Sequence, residues 1–276
     1  MKVILSPAKK MKVDTDTFAC QGMPALMKET EQIRDWICSL SYTEAKTMWA
    51  CNDRIAEQNF ERFRKMNLRQ NLTPAILSYD GIQYTCMAPE VFEEDQLAYV
   101  QETVRILSGF YGVLRPLDGV TPYRLEMQAK AAIGGKKNLY EFWGRKLYEE
   151  VMDESRVVIN LASKEYAQCI RSCLQAGDRF VSCLFGELED GRIVQKGVYA
   201  KMARGDMTRY MAEHKISAPE QLKGFDWSGY SFRQNLSSPE EYVFIREEIP
   251  GKLPSLRSGN SGQGAVEKKN KHRKEA

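Results

Sequence analysis

A single mixed α/β (α+β) domain, with a central sheet and flanking helices, is the fold that this 276-residue sequence predicts. Three observations carry the prediction. Short β-branched runs such as Lys2-Val3-Ile4-Leu5 and Val157 to Leu161 are strand-sized, and the second is nearly all apolar, as in a strand buried on both faces. Stretches between them repeat apolar residues at helical spacing. Strands and helices alternate without a strict βαβ rhythm and without an internal repeat, which points to a mixed sheet.

Composition bounds the function classes. At 43% hydrophobic and 28% charged residues, the chain has the make-up of a soluble protein able to bury a sizeable core. Its net charge of +3 is too small to announce a nucleic-acid partner unaided. The longest apolar stretches are strand-sized, and Met1 runs straight into the first strand, so neither a membrane span nor a secretory signal is expected. Seven cysteines without paired Cys-x-x-Cys spacing argue against a disulfide framework or a zinc ribbon and fit a reducing cytoplasm.

Taken in order, Met1 to Leu5 reads as a first strand stopped at Ser6-Pro7, followed by a loop carrying Lys9, Lys10 and Lys12. Pro24 to Leu40 reads as an amphipathic helix on Leu26, Ile33, Ile37 and Leu40. Ser41 and Glu44 make a capping box for a second helix, with Met48, Ile55, Phe60 and Phe63 as its apolar face. Ala75 to Tyr79 reads as a strand ending at Asp80-Gly81, with a hairpin partner in Ile82 to Cys86. Glu93 to Leu107 reads as a helix closed by Gly109.

Val157 to Leu161 should be a buried strand that turns at Ser163 into a helix. Phe180 to Leu188 and Arg192 to Lys196 flank Asp190-Gly191 as the best hairpin signal in the chain. A helix over Val198 to His214 and a last strand over Tyr242 to Arg246 follow. Beyond Pro250 the composition breaks. Residues 251 to 276 hold seven Lys and Arg against two Glu, net +5, with few apolar residues, so a disordered basic tail is expected after a domain spanning 1 to 250. The body alone has a net charge of −2.

Charge inside the body is segregated. Gln70 to Val104 has no Lys or Arg, whereas Arg105 to Arg145 has net +4 and Lys196 to Lys215 net +3. If the fold joins these stretches to Lys9, one positive face results; otherwise they are solvated faces of separate elements. Leu107-Ser-Gly-Phe-Tyr-Gly-Val-Leu-Arg-Pro-Leu-Asp118 is compatible with a helix-hairpin-helix-like element whose Gly109 and Gly112 amides meet DNA phosphates, and equally with a helix end feeding a core strand. Arg124 and Glu126 fall on one side of an extended segment, as a buried ion pair or as a substrate clamp with a carboxylate poised for proton transfer.

Asn160 to Tyr166 places Ser163 where a strand end meets a helix N-terminus, a crevice position, although Ser163 can equally be a simple cap. With only His214 and His272, and no nucleophile elbow, Walker loop or Gly-x-Gly-x-x-Gly, the sequence offers no hydrolase triad, metal site or nucleotide-cofactor motif. Cys169 and Cys173 share a helix face, as small buried side chains or as a redox pair. Tyr140, Phe142 and Trp143 beside Lys136, Lys137 and Arg145 could be core or could stack on bases.

Ser6-Pro-Ala-Lys9, the Leu107 to Asp118 block, Pro122-Tyr-Arg-Leu-Glu-Met127, Leu139-Tyr-Glu-Phe-Trp-Gly144, Val158-Ile-Asn-Leu-Ala-Ser-Lys-Glu-Tyr166 and Tyr199-Ala-Lys-Met-Ala-Arg-Gly205 occur in the order of the signature blocks of the YaaA family, which the chain resembles over residues 1 to about 248. The resemblance implies a bacterial, cytoplasmic protein of the hydrogen peroxide response, linked to low unincorporated iron and limited oxidative DNA damage. It also implies DNA binding by a mixed α/β body with a positively charged cleft and a helix-hairpin-helix-like element. Its pattern carries over onto Lys9, Arg115, Arg124, Glu126, Ser163, Glu165, Tyr166, Lys201 and Arg204, while Lys10 stands where threonine is expected.

Two readings follow. The first is a cofactor-free, monomeric DNA binder with Lys9, Gly109, Gly112, Arg115, Arg124, Lys201 and Arg204 on the phosphates, without a metal and with little sequence preference. The second is an enzyme on a nucleotide or nucleobase using Lys9, Glu126, Ser163, Glu165 and Tyr166, because carboxylates among phosphate-binding cations repel the ligand unless they do other work. The discriminating observation is whether Glu126 and Glu165 lie with Lys9.

Overall fold

The computed structural model describes residues 1–247; the expected domain end at Pro250 and the basic tail lie outside the described residues. Eight strands build the central sheet: β1 (Lys2–Leu5), β2 (Val104–Ser108), β3 (Gly112–Leu114), β4 (Val157–Asn160), β5 (Arg179–Glu189), β6 (Arg192–Val194), β7 (Tyr230–Phe232) and β8 (Glu241–Arg246). Their order is β7-β8-β5-β4-β1-β2-β3, with β6 folded back on β5. The five central strands are parallel and the flanking pairings antiparallel, so the sheet is mixed as expected. β1 is buried along its whole length, because it sits between two parallel neighbours.

Helices cover the sheet: α1 (Met27–Ser39), α2 (Tyr42–Trp49), α3 (Asp53–Lys65), α4 (Ala75–Ser78), α5 (Ile82–Met87), α6 (Glu94–Thr103), α7 (Leu139–Trp143), α8 (Lys146–Val151), α9 (Lys164–Arg171) and α10 (Gly197–Glu213). The Ser41–Glu44 capping box forms, with the Glu44 amide donating to Ser41 Oγ and Glu44 accepting from the Ser41 amide. The helix it opens is shorter than expected. Ala50 turns left-handed at φ 47° and Asn52 caps a fresh start by accepting the Ile55 amide at 3.0 Å, so the apolar face is shared between α2 and α3.

Three expectations between residues 75 and 107 are corrected. Ala75–Ser78 is one helical turn instead of a strand: Thr73–Pro74 pairs with Gly119–Val120, the chain then turns so that the Tyr79 amide donates to the Ala75 carbonyl, and only Tyr79–Asp80 is extended, pairing with Lys10–Met11. Ile82–Met87 is a helix instead of a hairpin strand. The helix expected to run from Glu93 to Leu107 stops at Thr103, and Val104–Ser108 is a fully buried parallel strand beside β1. A short, fully buried run has no periodicity to separate a strand from a buried helix.

That last change removes the helix-hairpin-helix-like element at residues 107–118, which is a strand, a tight turn and a strand, with Ser108 opposite Gly112. The Phe110 and Tyr111 amides donate to Ser108 Oγ inside the protein. Gly109 is buried so tightly that a Cβ there would lie 2.6 Å from the Leu125 carbonyl oxygen. Gly112, at φ +77°, faces Leu26, Trp143 and Leu147. Neither glycine amide reaches a DNA phosphate from there, so their assignment as phosphate contacts is withdrawn.

The Asp190-Gly191 hairpin forms as expected, with both turn residues at positive φ, 49° and 74°. α10 runs through Gly205 because α5 packs there with no room for a side chain: a Cβ would lie 2.1 Å from the Gln83 carbonyl oxygen. Tyr140 is half-buried, Phe142 is packed on the core and Trp143 is buried, donating from Nε1 to the Gly109 carbonyl at 3.1 Å. Cys169 is buried on α9, while Cys173 lies beyond the helix end; all seven cysteines are free thiols. No helix among the described residues is long and apolar enough to cross a membrane.

Candidate functional site

Because the central strands run the same way, their carboxyl ends form one edge of the sheet, where loops leave the ladder with unpaired groups. Two of those loops meet. After β1, Ser6 Oγ accepts the Ser163 amide at 2.8 Å, and the two hydroxyls lie 3.2 Å apart. Asn160 turns the second loop by accepting the Ala162 amide on Oδ1 at 2.9 Å and donating from Nδ2 to Ser182 Oγ. Ser163 occupies the N-cap position of α9 without its side chain capping the helix. Tyr84, from α5, donates its hydroxyl to the Ser6 carbonyl at 2.9 Å.

Residues 121–127 run extended along this edge with alternating burial, so Tyr123 and Leu125 face inward while Arg124 and Glu126 share the outer side. Glu126 bridges two cations. Its Oε2 lies 2.8 Å from Lys9 Nζ, and its Oε1 accepts from Arg124 Nη2 at 2.9 Å. Arg124 Nε is buried without a hydrogen-bond partner.

Glu165, in the first turn of α9, accepts the Gln128 amide at 3.2 Å. Burial raises its pKa above the usual carboxylate range; the Gln128 amide works against that and the neighbouring Glu126 charge adds to it. Tyr166 is buried beside it, and burial pushes the phenol well above its ordinary range. Beneath, the Tyr123 hydroxyl bonds with Tyr79 at 2.9 Å and Ser108 at 2.6 Å.

Thus Lys9, Arg124, Glu126, Ser163, Glu165 and Tyr166 converge, and both carboxylates lie with Lys9. Arg204 stands level with this edge: it neighbours Cys183, which follows Ser182, the register partner of Asn160 at the end of β4. Its guanidinium makes no hydrogen bond or ion pair with the described residues, its Nε is sealed from solvent, and burial lowers its pKa. Lys201, one turn earlier on α10, is exposed.

Arg115 is elsewhere. β3 runs back along β2, so Arg115 emerges beside Arg105 at the amino ends of the strands, about 13 Å from the carboxyl edge by ordinary strand rise. The expected pooling of all the cations therefore fails at Arg115. Ser6, Tyr84, Tyr123 and Gln128 were missed. Periodicity cannot find them; Ser6 and Tyr123 sit inside signature blocks, but Tyr84 and Gln128 carry no sequence signal.

Comparison with known proteins gives a consistent result. The profile of the family described as "Peroxide stress protein YaaA" matches residues 1–236. A "UPF0246 protein" of Agathobacter rectalis is 55% identical over 247 residues, covering 90% of this chain and 99% of that protein. Similar proteins of Lachnoclostridium phytofermentans and Pediococcus pentosaceus are 53% and 49% identical, each covering 90% of this chain and 97% and 99% of their own.

Proposed function

This chain belongs to the peroxide stress protein YaaA family, and we propose that it serves the hydrogen peroxide response by binding DNA at the carboxyl edge of its sheet. The observation that carries the reading is Arg204. Its side chain is half-buried, with Nε sealed from water and no carboxylate or carbonyl partner among the described residues, so a guanidinium held at this edge is short of hydrogen-bond acceptors that an anion supplies. Lys201 on the same helix, Lys164 next to Ser163, and Lys10 and Lys12 on the segment paired with residues 78–80 are exposed and have no ion-pair partner among the described residues. Together they offer a rim for backbone phosphates. Lys9 and Arg124 contribute less charge than the sequence suggests, because Glu126 holds both.

The reading places the protein in the cytoplasm as a monomer, without a resident cofactor. The lower unincorporated iron implied by the resemblance is attached to no residue. The test is a salt titration of duplex affinity by fluorescence anisotropy. With about six phosphate contacts, affinity should fall on the order of a thousandfold between about 50 and 200 mM salt, with little sequence preference. A flat response contradicts backbone binding.

A second reading, chemistry on a nucleotide or nucleobase, is favoured by Glu165. A half-buried carboxyl that holds its proton more tightly than usual, beside Tyr166 and the Lys9–Glu126 pair, suits general acid–base work. Glu165→Gln keeps size and removes the charge. Retained DNA affinity with lost rescue of peroxide survival supports chemistry; affinity equal or improved with full rescue supports binding alone.

A further inference from the structure

We propose that a cavity at the amino edge of the sheet is a binding site for a small oxyanion of the phosphate or sulfate class, held between Arg105 and Arg115. The cavity encloses about 210 Å³ and is walled by Gln101, Arg105, Arg115, Asp118, Glu150 and Gly22. Arg105 is only 7% exposed. Its Nη1 donates to the carbonyls of Gln101, Glu102 and Val104 at 3.3, 3.0 and 2.8 Å, which fixes the plane of the guanidinium.

Nε and Nη2 make no hydrogen bond with the described residues, yet they are not sealed from solvent, so their access is through the cavity that Arg105 lines. That leaves a planar fork of donors facing empty space, the geometry that grips two oxygens of one anion. Arg115 also lines the cavity, and its side chain has no ion-pair partner among the described residues. Burial depresses the basicity of Arg105, and the Arg115 charge depresses it further, so the two cations sense each other.

The surrounding carboxylates do not remove this repulsion. Lys2 takes Glu102 at 2.6 Å, and Asp153 is shared by the amino terminus at 3.2 Å and Lys2 at 3.6 Å. Asp118, whose Oδ2 accepts the Arg115 amide at 2.8 Å, offsets part of the charge of both arginines without outweighing the burial of Arg105, and Glu150 lies exposed at the cavity. A shared oxyanion converts the repulsion into two attractions. The volume is below the roughly 300 Å³ at which pockets begin to hold drug-sized ligands, so the occupant is an inorganic ion or the phosphoryl end of a very small ester, not a nucleotide. The inference is independent of the DNA reading, since this cavity lies on the other edge of the sheet.

The test is calorimetric titration of the full chain with sodium sulfate at constant ionic strength. Saturable one-to-one binding is expected, at least tenfold weaker in Arg115→Gln and lost in Arg115→Glu, with thermal midpoints unchanged because this side chain is exposed. Competition by inorganic phosphate supports an ion pocket, and competition by glycerol phosphate as well extends it to small phosphomonoesters. Absence of saturable binding, or equal binding by Arg115→Glu, overturns the proposal.

Discussion

At the amino edge, the Lys2 ammonium is gripped by Glu102 at 2.6 Å and its side chain is 9% exposed; at the carboxyl edge, Lys9 meets Glu126 at 2.8 Å but stays 65% exposed. The pairs look alike in distance and differ in surroundings. Lys2 also donates to the Glu102 carbonyl, which ties β1 to the end of α6, and the group has few other ways to be satisfied. Lys9 can exchange its carboxylate for water or for a ligand oxygen at little cost. The lesson is that charge on this sheet is structural at one edge and exchangeable at the other. Each edge nevertheless keeps arginines without an ion-pair partner among the described residues, Arg105 and Arg115 at the amino edge and Arg204 at the carboxyl edge.

The harshest way to break the comparison is through the turn that connects the edges. Gly109→Ala places a methyl 2.6 Å from the Leu125 carbonyl oxygen and 3.1 Å from the Glu126 carbonyl carbon, so the extended segment carrying Arg124 and Glu126 must move. A loss of about 3 kcal/mol is expected from denaturant unfolding, with DNA affinity reduced as well. Unchanged stability contradicts the packing described for that turn.

A gentler test compares like with like. Lys2→Met should lose about 1–2 kcal/mol, because it removes a buried ammonium that bonds the Glu102 carbonyl and carboxylate and lies by Asp153, although the Glu102 carbonyl keeps Arg105 and Asp153 keeps the amino terminus. Lys9→Met should lose less than about 1 kcal/mol. Thermal midpoints at one pH read both, and equal shifts remove the distinction between the edges.

Strands β1, β4 and β8, the capping box, the Asp190-Gly191 turn and α10 were legible in the sequence because each has a local cause: a short apolar run, a side-chain cap, a required positive φ or a helical repeat. What failed was β2. Val104 to Ser108 is buried at every position, and only the tertiary neighbours β1 and β3 make it a strand. The same error generated the helix-hairpin-helix-like reading, and with it the assignments of Gly109 and Gly112. Lys9, Arg124, Glu126, Ser163, Glu165 and Tyr166 came together at the carboxyl edge, whereas Arg115 did not, because its place depends on the direction of the return strand. No sequence pattern states that direction.

A smaller effect sharpens the amino edge. Burial raises the Asp118 pKa to about 6, against the Arg115 amide and the nearby arginine charges. A folded pKa above the unfolded value of about 3.9 means that the native state holds a proton longer. This residue therefore costs nothing below about pH 4, and its penalty grows between about pH 4 and 6 to roughly 2–3 kcal/mol above that window. Asp118→Asn should accordingly gain stability relative to the parent at pH 8 and little at pH 4, by thermal unfolding at both. A gain independent of pH contradicts burial of the charged carboxylate as its cause.

The most direct test of the functional account sets one arginine of each edge against the other. Arg204→Gln and Arg115→Gln are compared with the parent for duplex DNA affinity across a salt series. Arg204→Gln should be about as stable as the parent, since it removes a half-buried charge that has no partner among the described residues, and it should weaken binding about tenfold and reduce the salt slope by about one. Arg115→Gln should leave affinity and slope unchanged. If Arg115→Gln weakens DNA binding while Arg204→Gln does not, DNA binds at the amino edge and the carboxyl edge is not the nucleic-acid site.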